Sequence, residues 1–223
     1  MQPVVNDLSF QAATVNGSGS QSANLVLTRA IFSMGIPVAP KNVFPSNIEG
    51  LPTWYQLRIS PQGYQARKGD PDVIVALNPT TWREDLATVR SGGAVVVEEA
   101  YSLADGREDV TYYQVPFQKL AKSRITHDVL RKQLTNMLYV GVVGGLLGIP
   151  LASLEQGVQR TFPTKPKAWA VNVEAISVGY EYWQEHFADR PCGFRLEPVP
   201  GGNDDLILLE GNQATALGCV MGG

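Results

Sequence analysis

The residues best suited to chemistry form one short run, Gly17-Ser-Gly-Ser-Gln-Ser22, between an apolar strand-like stretch and an apolar helix-like one. Glycine lacks a Cβ, so it takes φ > 0 readily and lets backbone N–H groups approach a ligand, while a helix N-terminus adds a partial positive charge. With three serine hydroxyls alongside, such a loop suits phosphate or pyrophosphate. A tight strand-to-helix turn with Ser or Gln near the N-cap uses the same residues with no ligand, and the run alone leaves both readings open. Two narrower assignments fail. A dinucleotide fingerprint wants a third glycine or alanine where Ser22 stands and an acid about 20 residues on, where Pro37 to Lys41 occur instead. A P-loop wants Gly-Lys-Ser/Thr after the loop, and the sequence has none there.

Other chemically capable residues have plainer explanations. His127 and His186 are isolated, with no carboxylate or cysteine at ligand spacing, which points to surface or capping roles. Cys192, in Arg190-Pro-Cys-Gly193, has no identifiable paired base. Trp54, Trp82, Trp169 and Trp183 read as core or interface aromatics, and Asp70 and Asp72 as turn formers beside a strand.

The elements that must position the glycine loop alternate along the chain. Leu8 to Val15 reads as a first strand, and Ala23 to Met34 carries apolar residues at helical spacing and stops at Gly35. Ile36 to Val43 and Trp54 to Ile59 read as strands separated by a loop containing Pro45, Gly50 and Pro52. Asp72 to Leu77 is a short apolar run of the kind buried in a parallel sheet, followed by a helix over Thr80 to Val89. Ala94 to Glu98 and Val110 to Val115 supply two more strands, and His127 to Leu147, Leu151 to Thr161 and Lys165 to Phe187 read as helices. This alternation predicts an α/β fold, a mostly parallel open sheet with helices on both faces. Met137 to Leu151 is uncharged but too short to cross a bilayer and is closed by Pro150, so a buried helix is expected, its glycines allowing close approach of another element. Near Pro198 to Asp205 the composition becomes that of a linker, after which Leu206 to Leu209 reads as a strand and Glu210 to Gly218 as the start of a small-residue helix.

Composition excludes several classes. A chain of 223 residues with 44% apolar content can bury a sizeable core. A net charge of −3 with scattered Lys and Arg offers no field for nucleic acid or acidic lipid. Two cysteines are too few for a disulfide framework or a four-thiolate cluster, which fits a reducing cytoplasm. The N-terminus lacks the basic and apolar regions of a secretion signal.

Five blocks together carry a resemblance: AATVNGSGSQSANLVLTRAIFSMG (12 to 35), VFPSNIEGLPTWYQLRIS (43 to 60), GDPDVIVALNP (69 to 79), TNMLYVGVVGGLLGIPLASLEQGVQRTF (135 to 162) and NVEAISVGYEY (172 to 182). In order and spacing they resemble the gamma domain of 2-oxoacid:ferredoxin oxidoreductases, a Rossmann-like unit. EGNQATALGCVMGG at the end is similar to the start of that family's pyrimidine-side thiamine domain. The resemblance implies a gamma domain over 1–195, a linker over 196–205 and the beginning of a thiamine diphosphate domain over 206–223, the arrangement of 2-oxoglutarate-type alpha subunits.

It also implies a division of labour. Thiamine diphosphate with Mg decarboxylates the 2-oxoacid, [4Fe-4S] clusters pass electrons to ferredoxin, and coenzyme A collects the acyl group, with the gamma domain holding coenzyme A. The first three would belong to other domains or to a beta subunit of a cytoplasmic hetero-oligomer, so this chain would not be active alone. The coenzyme A contacts would be Gly17, Ser18, Gly19, Ser20 and Gln21, with Pro45, Ser46, Asn47 and Ile48 opposite. The second loop departs from the pyruvate branch in having no lysine, and its Glu49 would repel phosphate. Lys41, Arg58 or a partner subunit would have to supply positive charge. The alternatives are a non-catalytic assembly module of the same complex and an independent nucleotide-binding reductase.

Overall fold

The computed structural model describes residues 2–44, 51–104, 106–125 and 131–222. Its centre is a six-stranded sheet with the order β3-β4-β2-β5-β6-β7, formed by β2 (Leu8–Val15), β3 (Val38–Val43), β4 (Pro52–Ile59), β5 (Val73–Ala76), β6 (Ala94–Glu98) and β7 (Thr111–Val115). The pairs β2–β5, β5–β6 and β6–β7 are parallel, while β3–β4 and β4–β2 are antiparallel. The sheet is therefore mostly parallel, with one strand reversed. The reversal follows from chain length: only residues 44 to 51 separate β3 from β4, and a parallel crossover needs a dozen or more.

β5 and β6 are wholly buried because both faces are covered. Val73, Val75, Ala94 and Val96 join the main core beneath α1 (Ser20–Ser33), α4 (Arg131–Leu147), α5 (Leu151–Thr161) and α6 (Pro166–Phe187). Ile74, Ala76, Val95 and Val97 face the other way, onto α2 (Trp82–Ala87) through Trp82 and Leu86. The two faces are thus unequally clothed. Opposite α1, strands β2 to β4 present Ser9, Gln11, Lys41, Gln56 and Arg58, a polar surface that asks for no helix. Asp72, read from sequence as a turn former, is instead fully buried and accepts the Ser9 N–H at 2.8 Å, tying β5 to β2.

The glycines of α4 let α6 pack with its backbone almost touching. A Cβ on Gly141 would lie 2.0 Å from Ile176 O, one on Gly179 2.0 Å from Leu138 O, and one on Gly145 2.2 Å from Trp183. Among the described residues no helix is long and apolar enough to cross a membrane.

Four features depart from the expectations. Helix α3 (Phe117–Arg124) and a two-stranded parallel pair, β1 (Val4–Val5) with β8 (Phe194–Arg195), were not foreseen. Residues 206–209 form no strand, though α7 (Gly211–Gly222) follows as a helix with every residue exposed. The segment read as a linker is docked: Leu196 N–H donates to Leu147 O at 2.7 Å, Val199 N–H to Met34 O at 2.8 Å and Asn203 Nδ2 to Phe32 O at 2.8 Å. The bond to Met34 O occupies a carbonyl at the C-terminal end of α1, and the Asn203 amide adds to the Gly35 N–H already on Phe32 O.

Candidate functional site

β2 ends at Val15, and the chain reaches α1 through two left-handed glycines, Gly17 at φ 78° and Gly19 at φ 88°. Any L side chain is disfavoured in that region. Gly19 is the N-cap of α1 and supplies no side-chain cap, and the first turn carries no acid, so the helix N-terminus keeps both its free N–H groups and its partial charge. The loop is braced from three sides. Ser18 N–H donates to Val15 O at 3.2 Å, Asn16 N–H to Leu51 O at 2.9 Å, and Asn136 Nδ2 of α4 to Ser18 O at 2.8 Å.

A cleft of about 430 Å³ opens over this loop, lined by Asn16, Gly17, Gly19 to Ser22, Asn24, Asn42, Phe44 and Thr53. It lies at the C-terminal end of β2, where open α/β sheets bind ligands. Four of the expected contacts line it, namely Gly17, Gly19, Ser20 and Gln21, while Ser18 is turned toward Asn136. The other four, Pro45, Ser46, Asn47 and Ile48, lie outside the described residues, as does His127. Their flanks do not: Phe44 lines the cleft and Leu51 is bonded to Asn16, because Val15 pairs with Pro52 at that end of the sheet.

None of the described lining residues is charged. Arg58 cannot supply the missing cation, because it is buried at the opposite end of β2, paired with Ser9, and bound to Asp7 at 2.6 Å. The six residues from Ser9 to Val15 put it about 20 Å from the loop. Lys41 projects from the other face of the sheet. Among the described residues the cleft offers only neutral polar groups.

Sequence reasoning missed one of them. Asn24 is 2% exposed and lines the cleft floor. Its Oδ1 accepts the hydroxyl of Tyr139 from α4. Thr28 Oγ1 donates to Asn24 O at 2.9 Å and accepts the Tyr55 hydroxyl at 2.8 Å. The signal was present: Asn24 and Thr28 are polar residues inside an otherwise apolar helical stripe.

Burial pushes the Tyr55 hydroxyl up to about 12 and raises those of Tyr113 and Tyr139 further. These groups stabilise the fold fully below the ordinary tyrosine value near 10. As pH rises from there through the folded value, the unfolded chain releases protons that the folded one retains, and stability falls. In an alkaline absorbance titration these three of the eight tyrosines are expected to ionise only as helical circular dichroism is lost. Ionisation of all eight near pH 10 with the fold intact would contradict this arrangement.

The remaining candidates are structural. His186 is exposed and stacks on Tyr182 with centroids 4.0 Å apart. Cys192 is buried, its thiol pushed up by desolvation and directed at Phe194 O at 3.2 Å. Trp54 Nε1 donates to Asp85 at 2.7 Å, Trp82 stacks on Tyr101, Trp169 Nε1 donates to Phe162 O at 2.7 Å, and Trp183 lies in the core. Among the described residues no three His, Cys, Asp or Glu converge to hold a metal.

A two-glycine loop and an uncapped helix N-terminus, presented to a cleft at the C-terminal edge of the sheet, make an arrangement that can hold an anion. Residues 9–182 match pyruvate ferredoxin/flavodoxin oxidoreductase, and the chain belongs to that family. It is 23% identical to the alpha subunit of 2-oxoacid:ferredoxin oxidoreductase 2 from Aeropyrum pernix, over 97% of this chain and 40% of that one. The 2-oxoglutarate:ferredoxin oxidoreductase of Magnetococcus marinus, solved with 2-oxoglutarate, coenzyme A and succinyl-CoA bound, superposes with a TM-score of 0.81 at 25% identity, over 98% of this chain and 37% of that one. The pyruvate oxidoreductase subunit PORC of Thermotoga maritima shares the fold, with a TM-score of 0.59 at 20% identity over 79% of this chain and 96% of that subunit. The chain spans about two fifths of the length of the alpha-subunit relatives it matches.

Proposed function

We propose that this chain is the coenzyme-A-handling part of a 2-oxoacid:ferredoxin oxidoreductase, with 2-oxoglutarate as the favoured substrate. The observation that carries the reading is the pair of left-handed glycines that opens the N-terminus of α1 into a cleft whose described lining residues carry no charge. Backbone N–H groups and the helix dipole can bind a diphosphate there without a cation. Gly17, Ser18, Gly19, Ser20 and Gln21 would hold it, with Pro45, Ser46, Asn47 and Ile48 opposite and Asn24 beneath.

Family membership and the coenzyme A bound to the Magnetococcus marinus relative support this reading. Thiamine diphosphate, Mg and [4Fe-4S] clusters would reside in the rest of the alpha subunit and in a beta subunit, and ferredoxin would take the electrons in the cytoplasm. Residues 206–223 would begin the thiamine domain, which gives the exposed α7 a surface to pack against. Isothermal titration of coenzyme A into the chain is expected to show saturable binding that falls as Gly17 is replaced by valine. Absence of heat, with no chemical-shift change around residues 16–24, would favour a purely structural loop in an assembly module.

A further inference from the structure

The face of the sheet turned away from α1 gathers positive charge where β2, β3 and β4 meet. Side chains alternate along a strand, so the antiparallel registers put Lys41 beside Gln56 and Gln11 in one cross-strand row and Arg58 beside Ser9 in the next. Lys41 and Arg58 are thereby diagonal neighbours on paired strands, about 7 to 8 Å apart. The segment that leads from β4 to β5 brings Arg67 and Lys68 to the same place, and a hollow of about 200 Å³ is lined by all four cations.

The chain as a whole has a net charge of −3, so this cluster is no sample of a basic surface. Among the described residues Asp7 is the carboxylate paired with it, lying 2.6 Å from Arg58 and 3.7 Å from Lys68. The two acids next in sequence are engaged elsewhere. Asp72 is buried, accepts the Ser9 N–H and faces Arg90 at 3.4 Å, and the charge of Asp70 falls on Arg107. Four cations against one carboxylate leave a surplus of positive charge around the hollow, and like charges held close repel. Nothing in the packing of the sheet requires this: Gln56 Nε2 donates to Gln11 Oε1 at 2.8 Å, so a neutral pair suffices in the same row.

We propose that this hollow is a binding site for a small multivalent oxyanion, a phosphate or a di- or tricarboxylate, separate from the glycine-loop cleft. Its volume lies below the roughly 300 to 1,000 Å³ of sites for drug-sized ligands, which restricts the occupant to a small ion. The cations divide the work. Arg58 is 8% exposed and fixed by Asp7, Leu8 O and Ile59 O, so it holds a positive charge at the base of the hollow. Lys41 and Arg67 are exposed and supply the charge-assisted hydrogen bonds to the anion.

The proposal stands apart from the coenzyme A reading, because Ser9 lies at the opposite end of β2 from the glycine loop. Inorganic phosphate, pyrophosphate and citrate are titrated into the isotope-labelled chain while the backbone amides of Lys41, Gln56 and Lys68 are followed by NMR, with sodium chloride at matched ionic strength as the screening control. The multivalent anions are expected to shift these amides saturably, with half-saturation at about 1 mM or below, and sodium chloride to leave them in place. Lys41→Gln and Arg67→Gln are each expected to weaken binding about tenfold, as the loss of one charge-assisted hydrogen bond does. Both positions are exposed, so the variants should keep the wild-type melting temperature. Tighter binding of pyrophosphate assigns a phosphate ligand, and tighter binding of citrate a carboxylate one. Shifts that rise linearly with each anion, that sodium chloride reproduces, or that neither substitution weakens would overturn the proposal and leave a solvated sheet face. A wild-type chain that bound these anions but not coenzyme A would instead count against the glycine-loop reading alone.

Discussion

Replacing Gly179 with alanine is expected to cost about 3 kcal/mol of stability and to lower the melting temperature by roughly 6 to 12 °C. Two effects of opposite sign compete. Alanine is the better helix former by about 1 kcal/mol, which on its own would stabilise α6. Against this, the new Cβ would sit 2.0 Å from Leu138 O and 2.9 Å from the adjoining carbonyl carbon. Both neighbours are backbone, so no rotamer change relieves the contact, and α4 and α6 must move apart. They are equally close at a second point, where a Cβ on Gly141 would lie 2.0 Å from Ile176 O, so separation loosens the packing of Leu138, Val142 and Ile176 in the main core. The clash therefore outweighs the propensity gain. Gly218→Ala supplies the contrast, since it lies in exposed α7 with nothing within 4 Å, and its melting temperature should stay level or rise. Thermal denaturation of the two variants beside wild type decides it. A Gly179→Ala protein as stable as wild type would mean that the two helices are not held this closely in solution.

What was legible in the sequence depended on how local its cause is. Leu151–Thr161 is recovered with its boundaries unchanged because Pro150 fixes its start and its apolar residues recur at helical spacing. Val73–Ala76 and Ala94–Glu98 stand out as continuous apolar runs because both faces of each strand are covered. The reversal of β4 was implicit in the shortness of the loop before it, but strand-like composition says nothing of direction. Long-range effects left less trace. The β1–β8 pair joins residues 190 apart in sequence, and its brace, Asn6 at φ 55° bonded reciprocally to Glu197 at 2.9 and 2.8 Å, has no periodic signal. Leu206 to Leu209 is apolar enough for a strand but pairs with none, and lies instead across hollows lined by α1 and the edge strand β3. In the site, the glycine loop was visible because φ > 0 selects glycine. Asn24 and Tyr139 were not singled out, since their meaning comes from a contact between positions 115 residues apart.

Gly19→Val tests the function at the residue where local geometry and ligand binding meet. In the assembled oxidoreductase it is expected to raise the KM for coenzyme A about 10- to 100-fold, the range that follows from losing one hydrogen bond to a charged group at about 1.5 to 3 kcal/mol. Decarboxylation of the 2-oxoacid before acyl transfer should stay near normal, because that chemistry belongs to the thiamine cofactor. The cause lies in the loop: at φ 88° and ψ 6° Gly19 is left-handed and immediately precedes the free N–H groups of α1. A branched Cβ there both disfavours the conformation and stands where a phosphate oxygen would approach. Valine in this region also carries strain on the order of 1 to 3 kcal/mol, so some loss of stability accompanies the effect. The two half-reactions separate the contributions, since a shortage of folded protein lowers both in proportion and a damaged phosphate cradle lowers only acyl transfer. Gly19→Ala should fall between, with less strain and a smaller rise in KM. Parallel loss of both half-reactions, tracking the fraction folded, would mean that the glycine serves only to turn the chain from β2 into α1, and the phosphate cradle would have to be abandoned.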